Sequence, residues 1–203
     1  MLIKLYQKNN SPTQIERIIT VLKDGGTIIL PTDTTYVFAC HALKERAVEQ
    51  ICRLKHIDPA KHPLSIICYD MSAISEYARI TTPTYKIMKR NLPGLFTFIL
   101  PAFNKLPKIF RSKKGNEVGI RMPDNNITHI ILQALGAPLM TSSLPMEDND
   151  PGFLTNPELI QEKWEDKVTL IIDGGICELR QSTIVDCTDT APTIVRQGDG
   201  FLV

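Results

Sequence analysis

The hydrophobic positions of this chain fall into short runs with two periods. Leu2 to Tyr6 alternates apolar and polar residues, the pattern of a half-buried strand. Ile15, Ile18, Ile19 and Leu22 then recur at helical spacing up to Lys23, behind a start signal of Ser11 as N-cap, Pro12 at the first position and Gln14 closing a capping box. Gly25-Gly26 fits the cap that ends this helix. Ile28-Ile29-Leu30 is too short for a helix and rich in β-branching, so it reads as a buried strand stopped by Pro31. A second apolar run, Val37-Phe38-Ala39-Cys40, follows after Thr32-Asp33-Thr34-Thr35-Tyr36.

The same patterns predict helices over Glu45–Leu54, Met71–Ala78, Thr82–Asn91 with Thr82 as N-cap, Leu106–Arg111, Ile127–Leu135 closed by Gly136, and Asn156–Trp164. The last of these begins at Asn156-Pro157-Glu158 and carries Glu158, Glu162 and Glu165 on an exposed face. Strands are expected at Ser65–Cys68, over Leu95–Leu100 after the Pro93-Gly94 turn, at Val118–Pro123, Val168–Asp173 and Ser182–Asp186. Helices and strands alternate without a linker, low-complexity segment or repeat, which gives one domain over residues 1–203 of the α/β or α+β class. Met1 to Pro12 lacks the basic and apolar regions of a leader, and no run reaches membrane length, so a cytoplasmic protein is expected.

Composition narrows the chemistry. Cys40, Cys52, Cys68, Cys177 and Cys187 show no C-x-x-C pairing, and reduced core thiols are expected. His41, His56, His62 and His129 lack metal-ligand spacing, so no protein-held metal is expected. The net charge of +1 conceals an asymmetry: residues 1–121 hold 19 Lys/Arg against 9 Asp/Glu, and residues 122–203 hold 4 against 13. A basic first part suits a polyphosphate or an RNA backbone, unless the fold interleaves the two parts and cancels their fields.

Three stretches and a single further arginine carry candidate chemistry. The oxygen-bearing residues Thr32 to Tyr36 can form a turn between two strands or bind a ligand. Arg53, Lys55, His56, Lys61 and His62 crowd the loop before Leu64 and can converge on an anion or stand solvated. Arg111, Lys113, Lys114 and Gly115 read as an exposed basic loop. Arg121 ends an apolar strand and needs a partner, either a ligand carboxylate or phosphate, or Asp33.

In order along the chain, the Pro-Thr-Asp-Thr-x-Tyr stretch at 31–36, Lys55 with Pro63-Leu64, Pro93-Gly94 with Thr97, Val118 to Pro123 with Arg121, Ser142-Ser143, Ser182-Thr183-Ile184-Val185-Asp186 and Arg196 with Gly198 resemble the signatures of the YrdC/YciO family, relatives of threonylcarbamoyl-AMP synthase. Two positions depart from the family pattern. Ile57 stands where an arginine follows the motif lysine, and Pro145 replaces an asparagine, with Glu147-Asp148 after it. These departures make the chain more similar to the YciO branch.

The resemblance implies a twisted, mixed, largely antiparallel sheet flanked by helices around a deep basic cavity. It also implies a reaction in which L-threonine, bicarbonate and ATP give threonylcarbamoyl-AMP and pyrophosphate for modification of a tRNA adenosine. Lys55 and Arg121 take catalytic places in that reading. Thr34, His62, Ser142 and Ser182 bind threonine; Arg53, Lys55, Thr97, Ser143 and Arg196 bind nucleotide, with Mg²⁺ arriving on ATP. Two alternatives stay open: a diverged site that binds or hydrolyses a nucleotide or acyl-adenylate, and a non-catalytic module for tRNA or double-stranded RNA. For the synthase, tRNA threonylcarbamoyl-transferase proteins are the expected downstream partners.

Overall fold

The first helix ends where the glycines allow it. In the computed structural model, which describes residues 1–112, 115–146 and 149–203, Gly25 adopts φ +85° and its N–H reaches Leu22 O, while the Gly26 N–H reaches Val21 O. That pair of bonds is a Schellman cap, and it delivers the chain directly into the first buried strand. The Gly26 position has no room for a side chain, since a Cβ there would lie 2.6 Å from Val21.

The elements in chain order are β1 (Leu2–Lys4), α1 (Pro12–Lys23), β2 (Ile28–Pro31), β3 (Tyr36–His41), α2 (Glu45–Leu54), β4 (Ser65–Ile67), α3 (Met71–Tyr77) and α4 (Thr82–Asn91). After them come β5 (Phe96–Pro101), a 3-10 turn (Lys108–Phe110), β6 (Glu117–Arg121), α5 (Asn126–Leu135), β7 (Leu139–Ser143), α6 (Gly152–Thr155), α7 (Pro157–Trp164), β8 (Leu170–Asp173), β9 (Thr183–Asp186) and β10 (Thr193–Arg196). Several expectations need correction. The Ser11 side chain makes no cap bond, so the predicted capping box is not formed. Thr81, not Thr82, caps α4 through its hydroxyl. Residues 106–111 give only the 3-10 turn, and the short α6 carries no periodic signal because four residues are barely a turn.

The strands form one open sheet in the order β1-β8-β2-β3-β7-β4-β6-β5-β9-β10, with five antiparallel and four parallel pairings. Alternation along each strand sorts the side chains onto two faces. On one face Phe38, Cys40, Ile66, Phe98, Ile120 and Met140 are buried with Val48 and Ile51 of α2 and Trp164 of α7. Phe38 and Trp164 meet edge to face at 4.8 Å. On the other face Val37, Ala39, Ile67, Leu139 and Leu170 pack with α1 and α5, through Ile18, Leu22, Ile131 and Leu135. Those two helices cover only part of this second face. The remainder carries Ser65, Thr97 and Thr141 and forms the floor of a cavity.

No helix among the described residues is long and apolar enough to cross a membrane.

Candidate functional site

The turn between β2 and β3 is built from its own hydroxyls. The Thr32 hydroxyl donates to Thr35 O at 2.8 Å and accepts the Thr34 N–H at 3.1 Å. With its proton committed to Thr35 O, Thr32 Oγ1 meets Thr34 Oγ1 at 2.9 Å as an acceptor, so the Thr34 hydroxyl donates to it. Thr34 therefore shows acceptor lone pairs to its other neighbours, and Arg121 Nη2 donates to it at 3.3 Å. The two readings of this stretch are thus compatible: the residues form a tight turn, and Thr34 and Thr35 also line the cavity. Tyr36 secures a different segment. Its hydroxyl accepts the Gly174 N–H at 3.0 Å and donates to Gly175 O at 2.8 Å, which pins the start of the loop leaving β8.

Arg121 finds Asp33. Its Nη2 donates to Asp33 Oδ1 at 2.8 Å, and the Asp124 N–H, just before α5, donates to Oδ2 at 3.1 Å. Both side chains are more than nine-tenths buried. Burial holds the Asp33 carboxyl above the ordinary carboxylate range despite the opposing pull of Arg121, and burial likewise lowers the Arg121 pKa. Both shifts say that desolvation outweighs the attraction within the pair. The neighbouring charge of Arg196 adds to the discomfort of Arg121, and the buried Arg121 Nε–H has no hydrogen-bond partner among the described residues.

Arg196 reaches this neighbourhood through a bulge. Between Ile194 and Arg196 the β10–β9 register slips, so Arg196 pairs with Ile184, and its Nη2 donates to Ser182 O at 2.7 Å and Ser182 Oγ at 3.3 Å. Ser182 Oγ lies 2.9 Å from Thr97 Oγ1 across β5 and β9. Gly198 permits the crossing, because a Cβ there would lie 2.6 Å from the Ser182 carbonyl carbon. Gly119 keeps the floor open in the same way: it pairs with Ser65, and a Cβ would strike the Ser65 hydroxyl.

These groups enclose a cavity of about 520 Å³. Eight of the sequence-predicted residues line it: Thr34, His62, Thr97, Arg121, Ser142, Ser143, Ser182 and Arg196. Among the described residues its charged walls are Arg121, Arg180 and Arg196, with no Asp or Glu on the lining. Arg53 and Lys55 are placed elsewhere. They border a separate groove of about 550 Å³ with Lys163, Trp164 and Lys167. The cause is the end of α2, where His56 takes φ +53° and the Ile57 N–H bonds Cys52 O in a Schellman cap. That turn packs Ile57 against the core and into the cavity wall, and leaves Lys55 on the other side, its ammonium pKa lowered by burial.

Arg180, Gly119 and the Asp33–Arg121 geometry escaped the sequence reading in whole or in part. Arg180 sits in a loop with no periodic signal, two residues before the Ser-Thr stretch. Glu147, Asp148, Lys113 and Lys114, singled out above for their charge, lie outside the described residues. Cys40, Cys52, Cys68 and Cys187 are buried free thiols, and Cys177 is half-buried and free. Among the described residues no three His, Cys, Asp or Glu side chains gather as a metal site.

Comparison with known proteins fits this geometry. A family model named Sua5_yciO_yrdC, described as "Telomere recombination", matches residues 20–198. An uncharacterized protein of Haemophilus influenzae is 34% identical over 196 residues, covering 97% of this chain and 94% of that one. YciO of Escherichia coli K12, also uncharacterized, is 33% identical over 197 residues with the same coverage. The crystal structure of E. coli YciO superimposes with a TM-score of 0.91, over 99% of this chain and 97% of that chain. The threonylcarbamoyl-AMP synthase of Pyrococcus abyssi is more distant, 27% identical over 179 residues, 87% of this chain and 52% of that protein. The crystal structure of P. abyssi Sua5 complexed with L-threonine matches with a TM-score of 0.84 at 25% identity, over 98% of this chain and 57% of that one. A family match running through nearly every element that lines the cavity, near-complete coverage of the YciO relatives and close superposition on E. coli YciO leave one conclusion: the chain belongs to the Sua5/YciO/YrdC family.

Proposed function

We propose that the cavity binds L-threonine and ATP and forms threonylcarbamoyl-AMP. One observation carries the reading: Arg196 stands close enough to disfavour the charge of Arg121, and both line a cavity ringed by the hydroxyls of Thr34, Thr97 and Ser182. An anion between two guanidiniums removes their repulsion and gains charge-assisted hydrogen bonds, while the hydroxyls fix its orientation. Threonine bound in a relative of the same fold supports the choice of amino acid.

In this reaction the threonine amine takes up bicarbonate with loss of water to give a carbamate. A carbamate oxygen then attacks the α-phosphorus of ATP, and the bond to the β-phosphate oxygen breaks to release pyrophosphate. No side-chain nucleophile is needed; the protein positions the reactants and balances the spreading negative charge. Arg121 and Arg196 serve carboxylate and phosphate, Thr34, His62, Ser142 and Ser182 the threonine moiety, and Thr97 and Ser143 the nucleotide. Mg²⁺ enters as the metal complex of ATP. A tRNA adenosine is the final acceptor, through a downstream transferase.

A second reading has its own support. Ile57 on the cavity wall and Lys55 in another groove remove two cations that the synthase pattern contains, which favours a diverged site that binds or hydrolyses an acyl-adenylate. Incubation with ATP, Mg²⁺, bicarbonate and threonine, followed by mass spectrometry, separates the two. Threonine-dependent adenylate and pyrophosphate are the expected products. Consumption of synthetic threonylcarbamoyl-AMP with none formed would replace the first reading by the second.

A further inference from the structure

The synthase-like cavity lacks a cation at position 57 and yet has a third arginine that the family motifs do not contain. Arg180 lines the cavity together with Arg121 and Arg196, and it also borders an adjoining cavity of about 560 Å³ that Asp33, Asp124 and Glu178 help to line. Its situation differs from that of the other two. Arg121 is held by Asp33 and Thr34, and Arg196 by Ser182. Arg180 pairs only with Glu178 among the described residues, two positions back on the same loop, and the two side chains are 46% and 70% exposed. An ion pair so open to water contributes little and is readily exchanged for a better anion.

The loop that carries Arg180 is tied at its two ends and free between them. Tyr36 holds Gly174 and Gly175, and the Cys177 N–H donates to Thr155 O. At the other end the Gln181 N–H donates to Asp199 Oδ2 at 2.6 Å. Among the described residues no backbone hydrogen bond fixes Glu178, Leu179 or Arg180. Leu179 is 55% exposed at the cavity rim, so a bound ligand would gain apolar cover as this short strap settles.

We infer that Arg180 binds the β- and γ-phosphates of a nucleoside triphosphate, exchanging Glu178 for the ligand and supplying the positive charge absent at Ile57. This rests on the proposal that the cavity takes ATP. The strap stands at the exposed rim, where the most highly charged and most hydrated part of the nucleotide would lie. The planar guanidinium can grip two phosphate oxygens at once.

Calorimetric titration of the full chain with Mg²⁺-ATP and, separately, AMP tests the inference in wild type, Arg180→Ala, Arg180→Lys and Glu178→Gln. Arg180→Ala should weaken ATP about tenfold, the loss of one charge-assisted contact, while leaving AMP within about twofold. Arg180→Lys should fall between, and Glu178→Gln should bind ATP a few-fold more tightly. Thermal melts should match wild type, because both side chains are exposed. Equal ATP affinity in Arg180→Ala overturns the inference, as does an equal loss for ATP and AMP. If wild type binds ATP with the Arg180 dependence but makes no adenylate, the inference stands and the synthase proposal falls. A wild-type protein that binds no ATP overturns both.

Discussion

Replacing Arg121 by methionine leaves Asp33 as a carboxylate buried more than nine-tenths, supported by backbone N–H groups of Asp124 and of Asp33 itself. Breaking a buried pair from one side typically costs ~3–5 kcal/mol. At about 2–4 °C per kcal/mol for a chain of this length, the melting temperature should drop by roughly 6–20 °C at neutral pH. The pH dependence fixes the cause. Burial already raises the Asp33 pKa, and losing Arg121 removes the largest opposing influence, so the variant's carboxyl shifts further up. A group whose folded-state pKa is raised contributes stability that is present below its unfolded pKa and lost as pH rises through the folded value. The deficit of Arg121→Met should therefore shrink as pH falls toward about 4, by up to ~1.4 kcal/mol per pH unit within that window. Denaturant melts of wild type, Arg121→Met, Asp33→Asn and the double variant, from pH 4 to 8, measure it. The double variant should recover most of the loss while binding no ligand in the cavity. Single-variant costs below about 1 kcal/mol that simply add in the double variant would refute the buried, coupled pair.

Three further outcomes are expected. Gly119→Ala places a Cβ against the Ser65 hydroxyl and 3.3 Å from Thr97 Cγ2, so it should cost about 1–3 kcal/mol in a denaturant melt and weaken nucleotide binding. Gly198→Ala meets the backbone of Ser182, which cannot rotate away, so it should destabilise by a similar amount and displace Ser182 and its Arg196 bond, measured as lost threonine affinity. Lys55→Ala should leave ATP affinity within about twofold of wild type in the same titration, because Lys55 borders a groove apart from the cavity; a tenfold loss would mean that the loop after α2 swings Lys55 over the nucleotide.

Local chemistry made much of this site readable. The oxygens of Thr32 to Thr35, the arginine ending β6, and the Ser-Thr entry to β9 are consecutive residues whose direction follows from strand alternation once the strands are found. Asp33 as a partner for Arg121 was one of the options that buried charge imposes, although 88 positions separate the two. Lys55 shows the limit. Spacing placed it in a basic loop, but its direction is set by how α2 terminates, and that depends on Ile57 packing on the core rather than on charge. Arg180 was invisible for a related reason: it lies in an irregular loop whose path is fixed by Tyr36, 139 residues from Gly175. The capping box at Ser11 failed because a sequence pattern names a possible hydrogen bond without committing the rotamer.

The most direct test of the central claim uses ¹³C-bicarbonate. The protein is incubated with ATP, Mg²⁺, L-threonine and labelled bicarbonate, and the adenylate product is weighed. The account predicts a threonine-dependent adenylate heavier by one mass unit than the unlabelled product, formed with pyrophosphate and lost in Arg196→Ala. Bound ATP and threonine with no labelled adenylate, at any protein concentration, would contradict it.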